Sequence, residues 1–285
     1  TIQSANLSNG ELIDEWEKKF KALAERGTTF VGYNSQNYDN ILLQNSLFVN
    51  LKFPYITNKE QFDLLPAIRA ASVFAPGALN YELNFKKNTS YKLQAMLRSN
   101  NIYTKGSHNS LYDTIATKDL AQRLFEKAPE VFNASIVLRK KADVLPRIQE
   151  GIFCWHEAFF KTKIYCGMYL GKNIFPGWYY LFDLRKNPDE VLKLDRQGLK
   201  QSMKGSPKYI RTLKSNRAPI IMDSEMALLD EDYKSLGMTE IKKRYKLLKS
   251  HKDELSERIR DIVEEKYSEK QEFNQEQLLA EEKIY

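Results

Sequence analysis

The spacing of apolar residues changes near residue 150, and this change limits the folds that the chain can adopt. Upstream, apolar side chains recur at helical spacing around a short strand-like run, which is typical of an α/β domain. Between residues 152 and 184, aromatic and β-branched runs are broken by glycine and proline, which favours a small antiparallel sheet or barrel. The sequence therefore predicts two domains, and we place their boundary between residues 127 and 128.

Composition and charge narrow the classes of protein to which this chain can belong. A chain of 285 residues with 42% hydrophobic content is large enough for two domains with real cores. No apolar run reaches the roughly eighteen residues of a membrane-spanning helix, and no signal peptide is visible, so no membrane association is expected. Cys154 and Cys166 lack the spacing of a zinc site, so a reducing cytoplasm is expected. The net charge of +7 favours a polyanionic partner, although basic charge also keeps ordinary proteins in solution.

A strand that runs directly into a helix places one acidic residue at a characteristic position. Residues 28–34 are β-rich and predict a buried strand, and the polar run that follows opens a helix at Asp39. In open α/β sheets, ligands bind at the carboxyl ends of the strands. Asp39 is therefore a candidate site residue, and the alternative is that it only caps the helix.

A second acidic residue follows a histidine at a loop-to-helix junction. His108 ends a polar loop, and Asp113 lies five residues later, on the first turn of a helix that we predict to reach Lys127. The two side chains can face one point, which suits a base beside a metal ion. The alternative is an exposed loop histidine and an aspartate that faces the helix dipole.

The remaining elements are predicted from the same signals. Helices are expected at 6–26 with a cap at Ser8 or Asn9, around 64–71, after Ser90, over 136–148 and from Thr239 onward. Further strands are expected near 209–213 and 218–222. The last twenty residues are polar, and we expect a loosely held end. His156 and His251 are interpreted as structural or exposed.

Two motifs, in this order, resemble a known group of nucleases. Gly32-Tyr33-Asn34 with Tyr38-Asp39, followed by His108 with Asp113, is similar to the second and third motifs of the DnaQ-like 3′–5′ exonucleases of the DEDDh group. Further likeness points to the bacterial exonuclease I family within that group. It covers nearly the whole chain and is carried by residues 62–65 with Arg69, 90–93, 182–184, 192–195, 210–221 and 228–237.

The resemblance implies a specific architecture. It implies a partial ribonuclease H-like exonuclease domain over residues 1–127 and an SH3-like β-barrel domain with helical additions over residues 128–285. The first motif of the family, Asp-x-Glu on a central strand, has no counterpart in residues 1–10, and Glu11 and Asp14 belong to a helix. We therefore expect an internal portion of a longer protein, with that motif upstream and a helical domain downstream.

The resemblance also implies an activity. It implies hydrolysis of single-stranded DNA from its 3′ end, in repair and recombination, with two Mg²⁺ ions for which Mn²⁺ can substitute. Carboxylates are the ligands that Mg²⁺ prefers, and two such ions suit phosphodiester hydrolysis. By resemblance, Asp113 binds the metal that activates water, Asp39 reaches the second metal, and His108 is the general base.

Substrate and partner predictions follow the family in the same way. Arg69, Lys92, Lys141 and Asn34 fall at positions that imply contact with single-stranded DNA, although each basic residue is equally explained as a solvated charge. The family also binds the C-terminal tail of single-stranded DNA-binding protein, and we expect a cytoplasmic monomer. Two alternatives stay open: a non-catalytic relative that only holds DNA, and a related exonuclease that acts on RNA. The SH3-like region argues against the second.

Overall fold

Short parallel strands and longer helices alternate in the first part of the chain. The computed structural model describes residues 7–57, 61–102, 110–138, 140–205 and 208–282. It divides into two compact units, of which the first comprises residues 1–140 with 156–163 and the second comprises 141–155 with 164–285. The domain boundary predicted after residue 127 stays a prediction.

The first unit contains one parallel strand pair and the helices around it. Its elements are α1 (Asn9–Glu25), β1 (Phe30–Gly32), α2 (Asp39–Val49), β2 (Gln61–Asp63), α3 (Leu64–Phe74), α4 (Leu93–Ser99), α5 (Ser110–Lys127) and α6 (Pro129–Val137). α1 begins where its capping signal predicts, because the Ser8 side chain accepts from the Glu11 N–H while the Glu11 carboxylate accepts from the Ser8 N–H. The two strands pair in parallel, with Phe30 opposite Gln61 and Gly32 opposite Asp63.

The core of this unit lies between α3 and the helices that follow it. α3 contacts both α5 and α6, and side chains such as Ile68, Leu120 and Leu124 are fully buried there. The other edge of β1 has no strand partner among the described residues. Val31 at its centre is 49% exposed, so the prediction that β1 is buried is wrong. An apolar segment also lies exposed at the end of α2 and directly after it, with Phe48, Val49, Leu51, Phe53 and Tyr55 all open to solvent.

The second unit is built on a five-stranded sheet. Its elements are α7 (Lys141–Gln149), β3 (Phe153–Ala158), β4 (Thr162–Lys172), β5 (Trp178–Asp183), α8 (Pro188–Leu192), α9 (Arg196–Ser202), β6 (Ile210–Lys214), β7 (Ile221–Asp223), α10 (Glu231–Ser250) and α11 (Lys252–Glu282). The strand order is β6-β5-β4-β3-β7. The predicted antiparallel sheet is confirmed, but β6 and β7 remain separate edges in the described part of the chain. The closed SH3-like barrel is therefore not found there.

Several helix boundaries differ from the predictions. The single helix expected over 136–148 is two helices, α6 and α7. α4 begins after Lys92 rather than after Ser90. α10 begins at Glu231, eight residues before Thr239. The periodicity is broken within α10 because Gly237 has the non-helical torsion φ 76°, which glycine adopts without steric cost. The backbone of the C-terminal segment is helical through Glu282.

Replacing Gly167 by alanine is expected to destabilise the second unit. Gly167 on β4 lies opposite Asp183 on β5, and a Cβ at this position would approach the carbonyl oxygen of Phe182 to 2.0 Å. Because the obstacle is backbone, the strand pair must move, and we expect a loss of about 2–4 kcal/mol in the free energy of unfolding. Urea unfolding followed by circular dichroism measures this change.

The matched control for this substitution is Gly10→Ala. Gly10 lies in α1, and no atom lies within 4 Å of the added Cβ. There alanine is expected to raise the free energy of unfolding by about 0.5–1 kcal/mol through helix propensity. Equal stability of Gly167→Ala and the unsubstituted protein would show that the sheet relaxes around the methyl group.

Candidate active site

One buried carboxylate holds the turn between β1 and α2. Asp63 is only 7% exposed. Its Oδ1 accepts from the backbone N–H groups of Asn34 (2.8 Å) and Leu65 (3.1 Å), and its Oδ2 accepts from the Gln36 N–H (3.1 Å). Burial raises the pKa of Asp63, and the three backbone N–H donors oppose that rise. The same side chain therefore caps α3 and fixes the turn that leads to Asp39.

The sequence assigns no site role to Asp63, which directly precedes the helix expected around residues 64–71. It is the last residue of a strand of only three residues, which is too short for the alternating pattern that identifies a strand. The one available signal was an aspartate directly before the apolar start of a helix, which is a capping pattern. Its reach across to the β1 turn depends on strand pairing and could not be seen locally.

The structure places Asn34 and Asp39 on either side of that turn. Asn34 adopts the left-handed conformation (φ 60°, ψ 24°), and its Oδ1 accepts from the Asn37 side chain at 2.9 Å. Asp39 is the first residue of α2 and is exposed, as predicted from the sequence. Tyr38, directly before it, is 67% exposed. An aspartate here also suits the helix dipole, so the capping alternative for Asp39 stays open.

Asp113 lies on the first turn of α5 and is held by a neighbouring helix. The amide Nε2 of Gln94 on α4 donates to Asp113 Oδ1 at 3.0 Å. α5 also contacts β1, the strand that leads into the turn before Asp39. The helix that carries the third motif therefore packs against the strand that carries the second. His108 lies outside the described residues, so its position relative to Asp113 stays a prediction.

The described residues include carboxylate oxygens of the kind that bind a divalent cation, but they do not include a complete set of ligands. Asp39 and Asp113 have carboxylates that no basic side chain pairs with in the described part of the chain. Carboxylates are the donors that Mg²⁺ prefers. Among the described residues, no three His, Cys, Asp or Glu side chains cluster closely enough to hold a metal ion. The joint role of Asp39 and Asp113 as ligands of a divalent cation therefore stays a prediction.

Arg69 is a partly buried cation that forms no salt bridge with the described residues. Its guanidinium carbon lies 5.7 Å from the centre of the Tyr91 ring. Its Nε is buried and has no hydrogen-bond partner among the described residues. The ring is fixed because the Tyr91 hydroxyl bonds with Ser72 (2.9 Å) and Thr162 (2.8 Å). The charge of Arg69 also acts on the nearby Asp63, where it opposes the rise in pKa that burial causes, and a positioned guanidinium can bind a phosphate oxygen.

The two predicted lysine contacts occupy different units. Lys92 is exposed and directly precedes α4 in the first unit. Lys141 is exposed at the start of α7, in the second unit. The other described site residues belong to the first unit. The structure therefore groups Lys92 with Arg69 in one compact unit and leaves Lys141 outside it.

His156 lies near Phe74 and Arg69. It is not among the site residues predicted from the sequence. Its ring packs edge-on against Phe74, with centroids 6.4 Å apart, and its Nδ1 is buried without a hydrogen-bond partner among the described residues. Burial, together with the positive charge of Arg69, lowers the pKa of His156 to about 4. The imidazole is therefore neutral at physiological pH. No local sequence signal distinguishes it from an ordinary core histidine.

Because the pKa of His156 is lower in the folded chain than in the unfolded chain, the free energy of unfolding depends on pH. The unfolded chain binds a proton at His156 below about pH 6.5, whereas the folded chain resists that proton down to about pH 4. Stability is therefore complete above the unfolded pKa and is lost as the pH falls between these values, by about 3 kcal/mol at most. Urea unfolding from about pH 7.5 to about pH 4.5 measures the loss. In His156→Gln the curve is expected to be shallower, and identical curves would contradict the assignment.

The chain has relatives among bacterial exodeoxyribonucleases. It is 30% identical over 132 residues to exodeoxyribonuclease I of Buchnera aphidicola (subspecies Acyrthosiphon pisum), a match that covers 45% of this chain and 32% of that protein. It is 25% identical over 125 residues to exodeoxyribonuclease I of Escherichia coli K12, covering 42% of this chain and 26% of that protein. These matches span about a third of the relatives or less. No family model matches the sequence.

Solved structures agree on the fold over a longer stretch. The structure of E. coli exonuclease I in complex with a dT13 oligonucleotide matches with a TM-score of 0.70 and 18% identity, covering 90% of this chain and 58% of that one. Exonuclease I from Methylocaldum szegediense matches with a TM-score of 0.70 and 20% identity over the same shares. In sequence over nearly half its length and in fold over most of it, this chain resembles bacterial exonuclease I.

Proposed function

We propose that the protein containing this chain is a divalent-metal-dependent exonuclease that degrades single-stranded DNA from its 3′ end to 5′-mononucleotides. The observation that carries the proposal is the pair of Asp39 and Asp113, each on the first turn of a helix, with the helix of Asp113 packed against β1, the strand that leads into the turn before Asp39. They occur in a chain whose curated relatives are exodeoxyribonucleases. A role in DNA repair and recombination is part of the same proposal.

The reaction adds water across the terminal phosphodiester. A bond forms between the water oxygen and phosphorus, and the bond from phosphorus to the 3′ oxygen of the preceding nucleotide breaks. Two Mg²⁺ ions, for which Mn²⁺ can substitute, would activate the water and relieve the charge on the leaving oxygen. Asp113 and Asp39 would be among their ligands, and His108 would accept the proton of the water.

The described residues around these carboxylates act by positioning them. Gln94 occupies one oxygen of Asp113, which fixes the carboxyl plane and leaves the second oxygen for a cation. Asp63 fixes the turn before α2 and hence the start of the helix on which Asp39 lies. Such support keeps a site in its productive geometry without reorganisation during the reaction.

The substrate contacts are proposed from charge and exposure. Arg69 is a partly buried cation whose Nε has no hydrogen-bond partner among the described residues, and Lys92 is an exposed cation in the same unit. Asn34 and Tyr38 lie exposed at the turn before Asp39, where an amide can bond to a nucleotide and a ring can stack on a base. Lys141 is a further phosphate contact in this proposal.

Partners, oligomeric state and location belong to the proposal as well. One of the matched structures is a complex of exonuclease I with the C-terminal peptide of a single-stranded DNA-binding protein, and we propose that peptide as a partner. We propose a monomer in the cytoplasm, where the free buried cysteines Cys154 and Cys166 suit reducing conditions. Among the described residues, no helix is long and apolar enough to cross a membrane.

The proposal is tested by incubating the full-length protein with a 5′-labelled single-stranded oligonucleotide. Progressive shortening from the 3′ end in Mg²⁺, with no shortening in chelator, is the expected result. Duplex DNA and single-stranded RNA of the same sequence serve as comparison substrates. Tight binding without cleavage in any divalent cation would favour the DNA-holding alternative. Preferential cleavage of RNA would favour the second alternative.

A further inference from the structure

The second half of α10, in the second unit, has an exposed face with four lysines and no acidic residue. In the part of α10 from Thr239 to Ser250, the exposed residues are four lysines, one threonine and one serine. They are Thr239, Lys242, Lys243, Lys246, Lys249 and Ser250. Ile241 and Leu248, on the opposite side, are fully buried, so this surface is the outer face of an amphipathic helix.

Three of these lysines form a stripe without carboxylate partners. Lys242, Lys246 and Lys249, hereafter the lysine stripe, are spaced four and three residues apart and therefore lie along one line of the helix. No acidic side chain pairs with them among the described residues. The one glutamate of this segment, Glu240, lies 3.1 Å from Arg244 and 3.7 Å from Lys243. Within the described part of the chain, no carboxylate therefore compensates the positive charge of the stripe.

The arrangement differs from that of the next helix in the chain. On α11, acidic and basic side chains alternate, with Asp253, Glu254 and Glu257 near Arg258 and Arg260. Mixed signs are usual on a solvated surface. Like charges four residues apart on a helix repel one another at a cost of a few tenths of a kcal/mol. A polyanion laid along the stripe removes that repulsion.

We propose that the lysine stripe of α10 binds the phosphate backbone of single-stranded DNA, as a contact surface in the second unit that is additional to the residues of the candidate active site. The inference rests on the proposed function, because that function supplies the polyanion. Lysine ammonium groups bind phosphates as point charges and do not require a particular base. The stripe therefore adds affinity without sequence preference.

The chemistry of the stripe favours a nucleic acid over an acidic peptide. A peptide that docks on a protein gains most of its affinity from a few apolar or aromatic anchors in a pocket. The exposed neighbours of the stripe are hydroxyl residues and another lysine, which offer no such pocket. A phosphate backbone needs only a row of cations, and the stripe spans about 10 Å along the helix.

The test measures binding of a fluorescent single-stranded oligonucleotide to the full-length protein in chelator, so that no cleavage occurs. The stripe variant is K242Q/K246Q/K249Q, in which glutamine keeps the helix propensity of lysine. Removal of three phosphate contacts is expected to weaken binding about 10- to 100-fold at 0.1 M salt and to reduce the slope of log affinity against log salt by about 2.

The matched control variant is K19Q/K21Q/K118Q, which removes the same net charge. Each of these lysines already lies near a carboxylate, at 3.1 Å from Glu15, 2.7 Å from Glu17 and 3.6 Å from Asp119 respectively. A less than twofold change in affinity is expected, with the salt slope unchanged. Equal weakening in both variants would show a nonspecific effect of net charge and would overturn the inference.

The remaining outcomes separate the stripe from the proposed function. If the unsubstituted protein binds and degrades DNA but the stripe variant matches it, only the stripe inference fails. If the unsubstituted protein neither binds nor degrades single-stranded DNA, both fail. An acidic peptide is measured in parallel, and loss of peptide binding with unchanged DNA binding would also overturn the inference.

Discussion

Replacing Asp113 by asparagine in the full-length protein is expected to lower the rate of 3′-end degradation of single-stranded DNA by about 1000-fold or more. Asparagine keeps the size of the side chain and can still accept from Gln94, whose Nε2 lies 3.0 Å from the present carboxylate. It loses the negative charge that a divalent cation requires. Electrostatic stabilisation by the cation is worth several kcal/mol in such reactions, and 1000-fold corresponds to about 4 kcal/mol.

The matched control is Asp119→Asn on the same helix. Asp119 is part of α5 and lies near Lys118 on the surface, so its replacement removes an equal charge without touching the site. Activity within twofold of the unsubstituted protein is expected for the control. Binding of single-stranded DNA in chelator is expected to persist in Asp113→Asn. If Asp113→Asn kept more than a tenth of the activity, the carboxylate would not be a metal ligand.

Replacing Asp63 by alanine is expected to lower the free energy of unfolding of the first unit by about 3 kcal/mol. Three backbone N–H groups, from Asn34, Gln36 and Leu65, lose their acceptor at once. Each backbone hydrogen bond contributes about 1 kcal/mol, and buried donors without a partner cost more. Hydrogen exchange followed by mass spectrometry on peptides covering residues 33–38 is expected to show lost protection at the turn.

Two variants distinguish this effect from ordinary loss of a helix cap. Asp195 caps α9 from an exposed position and accepts from the Gly198 N–H at 2.7 Å, so Asp195→Ala is expected to cost about 1 kcal/mol. Asp63→Asn keeps one carbonyl acceptor and is expected to fall between the alanine variant and the unsubstituted protein. If Asp63→Ala cost no more than Asp195→Ala, the turn before Asp39 would not depend on Asp63.

The sequence predicts those features of the site that depend on local signals. The capping signal at Ser8 places the start of α1 correctly, and apolar periodicity places Asp39 and Asp113 on the first turns of α2 and α5. These signals work because helix ends leave backbone groups that nearby side chains must satisfy. The five-stranded sheet is also predicted, since its aromatic and β-branched runs are interrupted by glycine and proline.

Features that depend on distant contacts are not predictable in this way. The double role of Asp63 requires β2 to pair with β1. This pairing brings Asp63 to the backbone N–H of Asn34, which lies 29 residues earlier in the chain. The unpartnered Nε of Arg69 and the neutral ring of His156 depend on the packing of α3 with residues 156–163, which belong to the first unit and come from a distant part of the chain. The lysine stripe lies within the helix expected from Thr239 onward, but which of its lysines are exposed and which lie near Glu240 depends on the packing of α10.

One edge of β1 pairs with no other strand in the described part of the chain, and this has a practical consequence. A strand edge with free N–H and C=O groups is a template for another strand, and Val31 exposes an apolar side chain there. The apolar segment that follows α2 lies in the same unit, with Leu51 97% exposed. Such surfaces promote self-association. Preparations of residues 1–285 alone are therefore expected to form oligomers as their concentration rises. Dilute samples at moderate ionic strength are expected to self-associate less.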